Sequence, residues 1–167
     1  MLTEEWIEQV ASAVKRALEE LEGAKMDLPL ARTLIQKVQD RARETGLSVV
    51  VAVADEGGNP VAIERMDGAF LASFDIALNK AYTACALKMS TLSLKPMAQP
   101  GGQLYGIQHT NGGKIVVFGG GVPLMKSGRL IGGLGVSGGT EAQDSALAEY
   151  GASILEEEIA CRLTKRN

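Results

Sequence analysis

Apolar residues Trp6, Ile7, Val10, Val14, Leu18 and Leu21 recur at intervals of three and four, the period of a helix with one apolar stripe. The pattern predicts an amphipathic helix over residues 3–22. Thr3 stands at the N-cap position, Glu4, Glu5 and Glu8 lie early, where the helix dipole favours anions, and Gly23 marks the end. After a short linker over residues 22–27 the same period returns. Asp27 is the expected cap of this second helix, Pro29 fits its first turn, and Gly46 fits its C-terminal stop. Leu30, Leu34, Ile35, Val38 and Ala42 form its buried face.

The period then changes. Leu47–Ala54 is a β-branched run of strand length, and Pro60–Met66 is a second. Asp55-Glu56-Gly57-Gly58-Asn59 between them is turn chemistry, so the two runs predict a hairpin. Residues 69–89 read as a long helix whose apolar and small positions (Phe70, Leu71, Phe74, Ala77, Leu78, Ala81, Cys85, Ala86) cover more than one stripe. Such a helix is expected to be buried on two sides, by its own sheet and by a neighbouring subunit. Residues 90–102, broken by Pro96, Pro100 and Gly101-Gly102, read as irregular, and 104–108 as a single turn. Three more strands are expected over 114–118, 122–126 and 129–136, with Ser127-Gly128 turning the last pair. A final helix over 140–160 starts at Thr140 and turns Ala142, Ala146, Leu147, Tyr150, Ile154 and Leu155 inward. The fold class is therefore α/β of the α+β kind: a five-stranded antiparallel sheet with helices packed on it, plus an extra N-terminal amphipathic helix.

Composition narrows the function classes. At 167 residues with 46% apolar and 22% charged content, the chain reads as one globular domain. A net charge of −3 and the lack of a basic stripe argue against nucleic acid. No apolar run approaches membrane-spanning length, and the acidic N-terminus does not read as a secretory signal. Cys85 and Cys161 lack metal or redox spacing and read as packed thiols in a reducing cytoplasm.

Candidate chemistry gathers around the glycine-rich stretch from Asn111 to Gly139. Gly133-Leu-Gly135-Val-Ser-Gly138 matches the letters of a dinucleotide fingerprint. However, its first glycines fall inside the strand pattern, and no acidic residue follows beyond the helix. Close packing of a small-residue strand against a helix or a ligand explains it better. The amides of Gly138, Gly139 and Thr140 at the start of the last helix are candidates for holding a carboxylate or phosphate. His109 is the only imidazole, which is too few for a zinc site but enough for an axial haem ligand. Lys80 sits in an otherwise apolar run, where a buried ammonium needs an anionic partner. Acid–base candidates are sparse, and Asp55, Glu64, Asp67 and Asp75 read as turn or surface residues, so the chain leans towards a non-catalytic role.

Four ordered blocks carry a resemblance: VAVADEGGNPVAIERMDGA, SFDIALNKAYTA, QPGGQLYGIQHTNGGKIVVFGGGVPL and GRLIGGLGVSGGTEAQD. Together they resemble the GlcG/HbpS family of haem-binding proteins, which includes the C-terminal domain of PduO-type proteins. The match runs from about residue 28 to 159. The resemblance implies a profilin-like sheet domain over residues 27–167, binding of haem or, as an alternative, a corrinoid, and a homo-oligomer, with an octamer among the sizes expected. The ligand-binding set it suggests here is His109, Lys80, Tyr105, Asn111, Gly138, Gly139 and Thr140, with His109 the candidate ligand to haem iron. Two other readings stand beside it: an enzyme or accessory factor acting on a corrinoid or a small hydroxy acid or aldehyde, and a packing or scaffold protein of a bacterial microcompartment. Residues 1–22 lie outside the resemblance and read either as an encapsulation segment that meets a shell or as an oligomer contact. The expected location is cytoplasmic, with a microcompartment interior as the specific case.

Overall fold

The computed structural model describes residues 3–23 and 25–165, without the side chains of residues 16, 18–23 and 165. Leu18 and Leu21 of the predicted stripe therefore lie outside the described side chains, as do Met1 and Leu2 of the N-terminal segment. The elements run in the order α1 (Glu4–Gly23), α2 (Leu28–Glu44), β1 (Val50–Asp55), β2 (Pro60–Arg65), α3 (Ser73–Leu87), α4 (Thr91–Met97), β3 (Gly121–Lys126), β4 (Arg129–Ser137), α5 (Glu141–Ser153) and α6 (Leu155–Lys165). Among the described residues no helix is long and apolar enough to cross a membrane.

The strands form one antiparallel sheet in the order β2-β1-β4-β3. It has four strands, not the five expected. The run over 114–118 is not a strand because its backbone is tied to α3. The Val116 N–H donates to Thr83 Oγ1 at 3.0 Å, and Thr83 Oγ1 lies 3.2 Å from the Lys114 carbonyl. A second correction concerns residues 90–102, where α4 forms despite Pro96. Ser90 Oγ accepts from the Ser93 N–H at 3.0 Å and caps the helix, and Pro96 falls late enough that little of the helix depends on its missing N–H. The expected last helix is divided at Ile154, where Ser153 Oγ bonds back to the Tyr150 carbonyl at 2.8 Å. Leu147 and Leu155 face inward as expected, whereas Ala142 and Ala146 are exposed; Asp144, Ser145, Ala148 and Gly151 take the buried positions of α5.

Alternation along the strands sends residues to two different layers. Val51 and Val53 of β1 and Leu134 and Val136 of β4 join Leu34, Ile35, Val38, Leu147, Leu155 and Ile159 in the main core under α2, α5 and α6. Val50, Ala52 and Ala54 face α3, where Ala77, Ala81 and Cys85 meet them. Gly133 and Gly135 also face α3. A Cβ on Gly133 would stand 2.5 Å from the Ala81 carbonyl oxygen, and one on Gly135 would stand 2.0 Å from that of Ala77. The fingerprint-like glycines therefore seat a helix backbone on the sheet, consistent with the close-packing reading. Asp27 caps α2 as expected, accepting from the Leu30 N–H at 2.9 Å.

The α1 helix packs against α6, while Trp6, Ile7, Val10 and Val14 of its stripe remain about half exposed. The sheet side of α3 is buried as expected. Phe70, Leu71 and Phe74, before and within its first turn, are exposed.

Candidate functional site

The glycines of β4 let α3 approach so closely that Lys80 points into the interior with no exposed surface. Its ammonium donates to the Val136 carbonyl at 2.8 Å and to Asp144 Oδ2 at 2.9 Å. The Phe118 ring covers it from the other side, with its centroid 4.9 Å from Nζ. Burial pushes the Lys80 pKa below the ordinary lysine value, and the Asp144 carboxylate opposes that shift. The anionic partner that the sequence demanded is thus Asp144, 64 positions away along the chain. Its other oxygen, Oδ1, accepts from the Gly139 N–H at 2.9 Å. One carboxylate thereby ties α3, the end of β4 and the start of α5 together.

A pocket of ≈ 280 Å³ opens above this ion pair. Phe70, Ile76 and Phe118 form its apolar walls. Ser73, Ser137, Gly138 and Gly139 form a polar floor edged by Glu141 and Asp144, and Ala72 stands on the rim. Ser137 Oγ donates to Ser73 Oγ at 3.1 Å, so one hydrogen bond joins the two floor hydroxyls. Glu141 is held on two sides: Lys95 Nζ lies 2.7 Å from Oε1, and the Gly119 N–H donates to Oε2 at 3.2 Å. These bonds, the Lys95 contact first, hold its carboxyl below the usual carboxylate range. Phe70 is 71% exposed and Leu71 83%, and with Phe74 they extend the apolar wall outward into an open surface patch.

The predicted site residues separate into two groups, one at the pocket and one in the loop over residues 105–111. Lys80, Gly138, Gly139 and Thr140 lie at the pocket or directly beneath it. Two of the three amides offered for an anion already bond to side chains of this chain. Gly139 N–H donates to Asp144, and Thr140 N–H to Gln143 Oε1 at 2.9 Å within a capping box. His109, Tyr105 and Asn111 belong to the loop beyond the C-terminal half of α3. There Asn111 Nδ2 donates to the Tyr82 hydroxyl at 3.2 Å, and Lys114 Nζ lies 5.4 Å from the Tyr82 ring centre. His109 is exposed, with Gln108 Nε2 3.5 Å from its Nε2, and it does not line the pocket of its own chain. Residues 107–109 and 111–113 form short 3-10 turns here, and Asn111 has a left-handed φ of 53°.

Sequence reasoning missed Asp144, Glu141, Ser73, Ser137 and Phe118. Asp144 was open to detection: it is the one acid on the face of α5 that also carries Leu147, Ala148 and Gly151. The others carry no local signal, because the pocket draws them from four separate stretches of chain.

Known proteins of similar sequence and shape agree with this architecture. The family described as "Haem degrading protein HbpS-like" matches residues 26–153. A Citrobacter freundii protein of 15.0 kDa, encoded between dhaT and dhaS and described as uncharacterized, is 47% identical over 80% of this chain and 94% of its own length. The corrinoid adenosyltransferase PduO of the same organism is 44% identical over 65% of this chain, a match that spans only 32% of PduO. Among solved structures, a PduOC:heme complex superposes with a TM-score of 0.74 at 38% identity, covering 77% of this chain and 94% of that one. With its four-stranded antiparallel sheet, its glycine-seated α3 and this extended match, the chain belongs to the HbpS-like family, to which its four sequence blocks pointed.

Proposed function

We propose that this protein binds haem or a closely related tetrapyrrole at the N-terminal half of α3, as a non-catalytic homo-oligomer. The observation that carries the reading is the pocket walled by Phe70, Ile76 and Phe118 and continued outward by exposed Leu71 and Phe74. Flat apolar walls suit the faces of a macrocycle, and the related PduOC structure is a haem complex. At ≈ 280 Å³ the pocket falls just below the range of about 300–1,000 Å³ that encloses a drug-sized ligand. It fits one edge of a tetrapyrrole, and the exposed apolar patch covers more of the ring. A second copy laid over that patch completes the enclosure, which favours an oligomer, with an octamer among the sizes expected.

His109 remains the one imidazole for iron. It lies away from its own chain's pocket, so ligation by His109 requires the ring of a neighbouring copy. Titration of the purified protein with haemin, followed at the Soret band, tests the reading. Saturable binding that weakens by about tenfold or more in Ala72→Trp, which fills the pocket from an exposed rim position, is the expected result. A titration without saturation rejects it. In the same experiment His109→Ala separates imidazole ligation, which shifts the band, from binding without it, and cobalamin in place of haemin tests the corrinoid alternative.

A second reading concerns α1. A helix that keeps Trp6, Ile7, Val10 and Val14 half exposed offers an apolar stripe to another protein. We infer that residues 1–22 direct the domain to a microcompartment shell within the cytoplasm, or pack between copies. Fusing them to a fluorescent protein distinguishes the two: punctate signal in cells that contain shells supports targeting, and diffuse signal rejects it.

A further inference from the structure

We propose that the pocket takes the uncharged edge of its ligand and turns carboxylate substituents out to solvent; this inference rests on the tetrapyrrole reading of the same pocket. The basis is the charge around the cavity. Glu141 and Asp144 line it, and among the described residues no lysine, arginine or histidine does. The two nearest ammonium groups are each committed to one of those acids. Lys80 lies 2.9 Å from Asp144 and is sealed beneath Phe118. Lys95 lies 2.7 Å from Glu141.

Several neutral donors are committed as well. The Gly139 amide is bonded to Asp144, the Thr140 amide to Gln143, and the Ser137 hydroxyl donates to Ser73. A carboxylate entering here would shed its hydration, meet two acids and find these donors already engaged, which is unfavourable on both counts. A ring edge bearing methyl or vinyl groups instead meets Phe70, Ile76 and Phe118 and needs no polar partner. The same inventory disfavours small hydroxy acids in this pocket, and it gives a dicarboxylate tetrapyrrole one preferred orientation, acids outward.

Haemin and haemin dimethyl ester, in which both carboxylates are capped, are the discriminating probes, each titrated into the full chain and read at the Soret band. The dissociation constants should agree within about threefold. Weakening of about tenfold or more on esterification would show that the carboxylates are recognised, and would overturn the proposal. Glu141→Gln removes one of the two acids that would repel a carboxylate, and haemin and its dimethyl ester should respond to it alike, the ratio of their dissociation constants staying within about threefold. A gain of about tenfold for haemin that the ester does not share would place a carboxylate inside the pocket and also overturn it. Ala72→Trp should weaken both ligands alike; if it weakens neither, the site lies elsewhere and the proposal falls. Failure of both ligands to bind the unaltered protein would reject the tetrapyrrole reading itself, an outcome distinct from any difference between the two.

Discussion

On one face of the sheet, Val51, Val53, Leu134 and Val136 meet Leu34, Val38 and Leu147 side chain to side chain. On the other, Gly133 and Gly135 remove their side chains so that the α3 backbone rests directly on β4. The first face is an ordinary apolar core in which branched side chains fill space, and most of its members could be exchanged for others of similar volume. The second is set by backbone geometry, and it carries the buried ion pair and the floor of the pocket. The contrast shows why the candidate site lies where it does. Only the face that gives up side-chain volume lets a helix come close enough to sink a lysine into the interior and fix it there.

The largest expected effect comes from the ion pair. Lys80→Met preserves chain length but leaves the Asp144 carboxylate buried beside an apolar group. Removing one partner of a buried pair costs about 3–5 kcal/mol. Denaturant unfolding should show a loss of that size, and Lys80→Met/Asp144→Leu should recover part of it, since the orphaned charge is then gone. A single variant that loses less than about 1 kcal/mol would mean that the pair is a passenger on a face already fixed by its glycines.

Adjacent residues of β4 test the two faces against each other. Leu134→Ala removes side-chain volume from the main core and should cost about 2–4 kcal/mol. Gly135→Ala adds a single methyl, yet that methyl would stand 2.0 Å from the Ala77 carbonyl oxygen, so α3 must move. A cost of about 3 kcal/mol is expected, at the upper end of overpacking. The variants should diverge in function more than in stability. Displacing α3 moves Lys80 and the pocket wall, so Gly135→Ala should weaken haemin binding, whereas Leu134→Ala at matched folded fraction should not. Equal binding by both would remove the link between the glycine face and the site.

Much of this contrast is legible in the sequence, for identifiable reasons. The α2 and β1 elements follow periodicity: Leu30, Leu34 and Val38 mark one helical face, and a run of valines marks a strand. Gly133 and Gly135, placed inside a strand pattern, signal close backbone approach. Lys80 in an apolar helix signals an anionic partner. What could not be read depended on long-range pairing. The run over 114–118 has strand-like residues, but Thr83 of α3 takes its backbone bonds. Ser90 caps α4 with one hydroxyl, a weaker local signal than the prolines and glycines around it. The pocket was hidden because Phe70, Phe118, Ser137 and Glu141 become neighbours only after the sheet forms. His109 stands out in the sequence as the sole imidazole, while the fold places it in an exposed turn outside the pocket above Lys80.

The smallest expected effects come from the two cysteines, one on each side of the sheet. Cys85 lies on the sheet-facing side of α3, with its thiol donating to the Asp55 carbonyl at 3.2 Å, while Cys161 lies half-buried on α6. Burial, with smaller help from the Asp55 charge, pushes the Cys85 pKa up to about 12. A thiol reagent at mildly alkaline pH should therefore modify Cys161 in the native protein and reach Cys85 only on unfolding. The linkage has a definite sign. Above the ordinary thiol pKa of about 8.5 the unfolded chain has released the Cys85 proton while the folded chain retains it. The unfolded state then binds fewer protons, so stability falls as pH rises through that window and levels off only above the raised pKa. Unfolding measured at pH 8 and pH 10 should show a larger loss for the natural chain than for Cys85→Ala, in which that proton is absent from both states. An identical loss in the two proteins, or rapid native modification of both thiols, would show that α3 lifts from the glycine face often enough to expose it.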